Sequence, residues 1–215
     1  MQSVVKQTAT TAADPARRRD RATREQALIL AATKLFANHG YEATTTREIA
    51  TRAGCSEGLI HRYFKGKDFK GKEGLLLAVM SSHISRRVLE LTEHLPFSAS
   101  LEEEIRQLMA WEVDRMWEDR DFLRLTVQCA MLDPKIARFA RLERPTRLAK
   151  AIAERLRHYR NQRVLDDDDI EAASNAISAL CFEFGFMRPA VLGYHRKETK
   201  RVAVNVAKII ARGLQ

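Results

Sequence analysis

Apolar residues return at helical intervals along nearly the whole chain from Thr23 onward, and only nine glycines and four prolines interrupt them. That pattern excludes a turn-rich all-β fold and leaves an all-α one. The first stripe is Leu28, Ala32, Leu35 and Phe36, and Asn38-His39-Gly40 closes its helix with Gly40 as a left-handed C-cap. Thr45-Thr46-Arg47-Glu48 has the form of a capping box, Thr45 at N-cap and Glu48 at N3, and opens a short helix Thr46–Ala53. Gly54 marks a tight turn, and Ser56 is placed to cap a second short helix, Glu57–Phe64. Longer helices follow at roughly 73–94, 100–118, 121–131, 134–163, 168–192 and 197–213. Leu132-Asp133-Pro134 predicts an N-cap with Pro at N1, and Pro145 predicts a kink or break. The acidic run Asp166–Asp169 predicts a helix start matched to the dipole rather than a metal site.

Charge adds a constraint on partners. The chain carries 37 Lys/Arg against 28 Asp/Glu, and residues 1–73 hold 14 of the basic residues and 8 of the acidic ones. About two thirds of the positive excess therefore sits in the first third, which calls for an anionic partner: nucleic acid or a membrane surface. No apolar run approaches the ~20 residues that span a bilayer. The N-terminus lacks the apolar core of a signal peptide. Cys55, Cys129 and Cys181 are scattered and form neither a disulfide framework nor a CxxC pair, so the expected location is the reducing cytoplasm. The six histidines are dispersed with no HExxH, and neither a Gly-rich phosphate loop nor a GxSxG is present, so no catalytic residue, metal or cofactor is expected.

Two short helices joined by a tight Gly-containing turn in a basic region read as a helix-turn-helix. The first buries Ile49 and Ala50, the second Ile60 and Phe64. The outward face of the second carries Glu57, Gly58, Leu59, His61, Arg62 and Tyr63. Arg62 can pair with guanine or a phosphate, and His61 and Tyr63 can donate to phosphate oxygens. Gly58 costs a helix about 1 kcal/mol relative to Ala. Two reasons would justify it: the backbone approaches DNA closely there, or a neighbouring helix does.

The pattern Leu28-Ile29-x-Ala31-Ala32-x-x-Leu35-Phe36-x-x-x-Gly40-Tyr41-x-Ala43-Thr44-Thr45, then Ile49-Ala50-x-x-Ala53-Gly54-Cys55-Ser56-x-Gly58-x-Ile60-x-x-Tyr63-Phe64, resembles the N-terminal domain of the TetR (tetracycline-repressor) family of bacterial transcriptional regulators. It is ordered and nearly gap-free over some 40 residues, about a fifth of the chain. The resemblance implies that Thr45, Thr46 and Arg47 face phosphates at the start of the second helix. It implies that Ser56, Glu57, Gly58 and Leu59 begin the recognition helix, with His61 where the family usually has Tyr. Tyr63 takes a common phosphate-contact position, and Lys67 matches the lysine of the family's Tyr-Phe-x-x-Lys pattern. One feature has no counterpart there. Phe64-Lys65-Gly66-Lys67-Asp68 is followed by the near-duplicate Phe69-Lys70-Gly71-Lys72-Glu73, so either Lys67 or Lys72 is the phosphate lysine.

Composition, rich in Thr, Ala and Gln and then basic at Arg17, Arg18, Arg19 and Arg21, marks 1–21 as a disordered basic arm, and the resemblance divides the rest into a helix-turn-helix domain (22–72) and an effector-binding and dimerisation domain (73–215). It implies a double-stranded palindromic operator, a small-molecule effector and a homodimer held by the last two helices. Candidate strips for that interface are Ile170, Ala173, Ile177, Leu180, Phe184 and Met187, and Val202, Val206, Ile209 and Ile210. The expected effector pocket draws on Met109, Trp111, Trp117, Phe122, Leu125, Met131, Phe139, Phe182 and Phe186, with Arg115, Arg124 and Glu183 as polar anchors. Two other classes stay open. A helical-bundle enzyme or small-molecule carrier predicts no salt-dependent duplex binding. A nonspecific nucleoid or membrane-surface protein predicts binding with little sequence preference.

Overall fold

The computed structural model describes residues 15–66, 68–160 and 166–214, apart from the side chains of 15–18 and 142–146. The described helices are α1 (Pro15–His39), α2 (Thr46–Arg52), α3 (Gly58–Tyr63), α4 (Gly71–His94), α5 (Leu101–Glu118), α6 (Arg120–Leu132), α7 (Pro134–Arg157), α8 (Asp167–Phe182) and α9 (Arg196–Gly213). Among the described residues there is no strand, only an isolated antiparallel bridge between Lys65 and Lys70. None of the described helices is long and apolar enough to cross a membrane. The fold is all-α: an N-terminal helix-turn-helix unit on a helical C-terminal body.

Local chemistry explains most boundaries. Gly40, at φ +82°, ends α1. Asp133 caps α7 by accepting from the Lys135 amide at 2.8 Å, with Pro134 at the first helical position. Asp166 caps α8 by accepting from the Asp169 amide at 2.7 Å, and no metal-binding group of three or more ligands occurs among the described residues. Four boundaries differ from the sequence expectation. First, α1 starts at Pro15, inside the segment assigned to the arm; residues 1–14 of that arm lie outside the described residues. Second, α7 continues through Pro145, because losing one amide donor there leaves the ladder on either side intact. Third, Ser56 makes no side-chain cap; α3 starts at Gly58, with the Ser56 carbonyl accepting from the Leu59 amide at 3.1 Å. Fourth, the helix expected over 168–192 changes pitch after Phe182 and runs as a π-helix over Glu183–Val191. Pro189 supplies no amide hydrogen within it, and Gly185 lies flush on α5, where a Cβ would come within 2.6 Å of Met116 Cβ.

Two apolar cores organise the packing. The first joins α1–α3 to Leu75, Leu76, Leu77, Val79 and Met80 of α4, and continues into Leu125, Cys129 and Ile136 at the α6–α7 corner. The second fills the body between α5, α7, α8 and α9, around Ile105, Leu108, Ile152, Leu156, Ile170 and Ile177. α4 belongs to both, so it ties the reading unit to the body.

Several polar groups inside the body are paired. Arg155 donates to Glu104 at 2.6 Å and to the Leu91, Leu95 and Pro96 carbonyls. Tyr159 donates to the Ser98 carbonyl at 2.7 Å and to Glu104 at 3.0 Å; burial first, then its bond to Glu104, pushes its pKa up to about 12. Arg87 of α4 pairs with Glu112 of α5 at 2.7 Å. Burial alone would raise the Asp119 pKa, but the His83 hydrogen bond and the Arg87 and Arg86 charges outweigh it and hold the carboxyl below its usual range.

Candidate nucleic-acid interface

The two short helices are held from within. Ile49 and Ile60 are both 0% exposed, and Ala50 and Phe64 are buried beside them against Leu28, Ala32 and Phe36 of α1. The buried Thr44 hydroxyl donates to the Gly40 carbonyl at 2.7 Å, closing the turn before α2. The capping box is present: the Thr45 hydroxyl accepts from the Glu48 amide, and the Thr45 amide donates to Glu48 at 2.8 Å. Those bonds from Thr45 hold the Glu48 carboxyl below its usual pKa. Between the helices, the Cys55 amide donates to the Ala50 carbonyl at 2.9 Å and fixes the turn at Gly54.

With those anchors turned inward, the remaining side chains turn out. Thr45, Arg47, Ser56, Glu57, Gly58, His61 and Arg62 are exposed, and Thr46, Leu59 and Tyr63 are half-exposed. A Cβ built on Gly58 meets nothing within 4 Å. Close helix packing therefore does not account for this glycine. Arg62 lies 6.0 Å from the Tyr63 ring centroid, and Arg21 of α1 lies over the same ring at 5.2 Å. Arg21 was legible only as one of the arginines in the arm; the structure sets it beside the reading face.

Several expected contact residues have internal partners. The Thr46 hydroxyl donates to Glu57, so these two side chains clamp α2 to α3. The His61 ring packs over the first residue of α4, where a Cβ on Gly71 would come within 3.0 Å of it. Lys72 donates to the Glu42 carbonyl at 3.3 Å and sits 4.3 Å from the Tyr41 ring centroid. Lys72 thus ties α4 to the α1–α2 turn, and Lys67 lies outside the described residues. Lys65 and Lys70 are exposed on the near-duplicated turn.

The residues expected to line one effector pocket are distributed over several places. Met109 and Phe186 are fully buried core. Trp111 lies beneath Arg87 and Arg115, and Trp117 between Arg120 and Arg196. Arg115 pairs with Glu118, Glu183 with Arg188, and Arg124 donates to the Ala190 carbonyl. Phe122 stacks on His83 at 4.0 Å. Phe182 does line a cavity, of about 310 Å³, with Thr126, Val127 and Ala130 of α6, Ala140 of α7 and Asn175, Ser178 and Ala179 of α8. Leu125 and Met131 line another, of about 520 Å³, where α6 meets Gly40 and Tyr41. Phe139 lines a third, beside Phe69.

The strip Ile170, Ala173, Ile177 and Phe184 is buried in the subunit's own core, with Leu180 and Met187 packed against it. The outward side of α8 carries Ala172, Asn175, Ala176 and Ala179 instead. On α9, Ala203, Ala207 and Ala211 face inward, Ile209 is 68% exposed, and Val202, Val206 and Ile210 are half-exposed.

Comparison with known proteins bears on the same segment. A family model, bacterial regulatory proteins of the tetR family, matches residues 28–79. YvkB, an uncharacterized HTH-type transcriptional regulator of Bacillus subtilis, is 48% identical over 65 residues. That match covers 29% of this chain and 32%, about a third, of the relative's length. Over the whole chain the likeness is one of fold. A TetR-family transcriptional regulator from Mesorhizobium loti superposes with a TM-score of 0.64 at 23% identity, covering 90% of this chain and 97% of that one. FadR of Bacillus subtilis, solved in complex with stearoyl-CoA, gives 0.63 at 17% identity, covering 88% and 99%.

Proposed function

We propose that this chain, whose residues 28–79 match the model of the tetR family of bacterial regulatory proteins, is a homodimeric transcriptional repressor that binds a palindromic operator and releases it when a small apolar effector occupies the body. The observation that carries the reading is the outward face of α2–α3: Arg47, Ser56 and Arg62 stand free of the core, and the side-chain-free Gly58 has open space before it. The N-termini of short helices offer amides to phosphates, and α3 enters the major groove. One such unit makes few base contacts. Two of them on a twofold axis read half-sites one helical turn apart, about 34 Å.

The partner-facing surface in this proposal is the outward side of α8, with its small residues Ala172, Ala176 and Ala179, together with Val202, Val206 and Ile209 of α9. The effector enters the apolar cavity between α6, α7 and α8. FadR, a fold-mate solved with stearoyl-CoA, makes acyl compounds the first to try. To act, the effector must favour the arrangement in which the two recognition helices no longer match successive grooves; a coupling of about 1–3 kcal/mol is typical.

The deciding experiment is selection of bound sequences from random duplex DNA at physiological salt. The expected product is one palindrome with two half-sites. Recovery of unrelated sequences, or binding that ignores salt, defeats the proposal. Two variants sharpen it. Arg62→Ala weakens operator binding and, where Arg62 reads a base, relaxes preference at one position by about 1–3 kcal/mol; equal loss on random duplex reduces Arg62 to a phosphate contact. Gly58→Ala leaves the unfolding midpoint unchanged or raised but weakens operator binding, and undiminished binding removes the close-approach account of that glycine.

A further inference from the structure

We propose that the cleft between the near-duplicated turn and α7 is a ligand site for a small planar anion of the aromatic-carboxylate class. The cleft has a volume of about 340 Å³ and is lined by Asp68, Phe69, Lys135, Arg138 and Phe139. It is distinct from the α6–α8 cavity in place and in chemistry.

The duplication builds one wall. Phe64, in the first copy, is buried in the core of the reading unit at 5% exposure. The Gly66 amide donates to the Phe69 carbonyl at 2.7 Å, and Lys65 and Lys70 pair across the turn. This tight closure sets Phe69, the counterpart of Phe64 in the second copy, half-buried at the rim of the cleft. The opposite wall is Phe139 of α7, also half-buried. Lys135 Nζ lies 5.9 Å from the Phe69 ring centroid.

The charges select the ligand. Lys135 shares its field with Glu73, and Asp68 stands at the rim. Arg138 is exposed and has no ion pair among the described residues. A ligand's negative charge therefore falls to Arg138, whose guanidinium matches a carboxylate in a two-point fork. A neutral aromatic would fill the walls and leave Arg138 to water. A bare inorganic anion would meet the cations and leave both phenylalanines uncovered. A flat ring bearing a carboxylate satisfies both. Since one wall lies between α3 and α4 and the other on α7, an occupant touches the reading unit and the body together.

The test is a fluorine NMR titration of the full chain with 4-fluorobenzoate, beside 4-fluorobenzamide as the uncharged isostere. The expected result is saturable binding of the benzoate, at least tenfold tighter than that of the amide. Arg138→Ala and Arg138→Glu, at an exposed position, weaken the benzoate at least tenfold, and Phe139→Leu weakens both probes. Ser178→Trp, which fills the α6–α8 cavity, leaves both unchanged. Equal affinity for the two probes, undiminished binding in Arg138→Glu, loss on Ser178→Trp, displacement by inorganic phosphate at matching concentration, or no saturation by about 20 mM would each overturn the proposal.

Discussion

Arg155→Ala lowers the free energy of unfolding by about 3–5 kcal/mol. Glu104 is 0% exposed and takes its partners from Arg155 at 2.6 Å, Tyr159 at 3.0 Å and the Ser98 amide at 3.0 Å. Truncating Arg155 leaves a carboxylate in the core beside one hydroxyl and one amide, with its cationic partner gone. It also strips the Leu91 and Leu95 carbonyls of the guanidinium donor and leaves the Pro96 carbonyl with Gln107 alone, where α4 hands over to the turn before α5. Removing one partner of a buried pair costs more than replacing both. The double variant Arg155→Met/Glu104→Leu should therefore be more stable than Arg155→Ala alone, and Tyr159→Phe should cost only about 1 kcal/mol. Urea unfolding near neutral pH measures all three. A loss below about 1 kcal/mol for Arg155→Ala would show that water reaches Glu104 and that this cluster does not clamp α4 to α7.

Gly74→Ala acts at the other end of α4 and should disable DNA binding with the fold largely intact. A Cβ on Gly74 would stand 2.2 Å from the Phe64 carbonyl oxygen and 3.4 Å from its Cβ. Backbone cannot rotate out of the way as a flexible side chain can, so α4 must separate from the end of α3. Overpacking of this kind costs about 1–3 kcal/mol. The displaced recognition helix should lose at least about tenfold in operator affinity, equivalent to some 1.4 kcal/mol. Far-UV circular dichroism should hold its helical signal. Gly66→Ala is the control, since its nearest neighbour, the Phe69 carbonyl, lies 3.9 Å away. Unchanged operator affinity in Gly74→Ala would mean that the α3–α4 contact does not set the angle of the recognition helix.

The reading unit was legible in the sequence because its signals are local. Thr45 and Glu48 cap α2, Ile49 and Ile60 anchor the two short helices, and Gly40 ends α1, each where spacing alone would put it. The body was less legible because its questions are not local. An apolar stripe on α8 says which side avoids water, but not whether the same subunit or a second one covers it; Ile170 and Ile177 proved to be covered from within. Aromatic residues likewise mark dense packing as readily as open space. Met109 and Phe186 fill the core, while the α6–α8 cavity is open beside the short side chains of Ala130, Ala140 and Ala179. Nor could close packing at Gly58 be tested without neighbours to measure against.

The shared core at the α6–α7 corner bears on how this molecule can be taken apart. Leu125, Cys129 and Ile136 of the body pack into the same cluster as Leu28, Phe36 and Ile60. A chimera that borrowed only the first 72 residues would carry an unfinished hydrophobic seam, with Leu75–Met80 and that corner left behind. Transplanting the α2–α3 face onto another scaffold requires the donor's first half of α4, and a recipient whose own corner offers a leucine-sized, a cysteine-sized and an isoleucine-sized plug in the same three places.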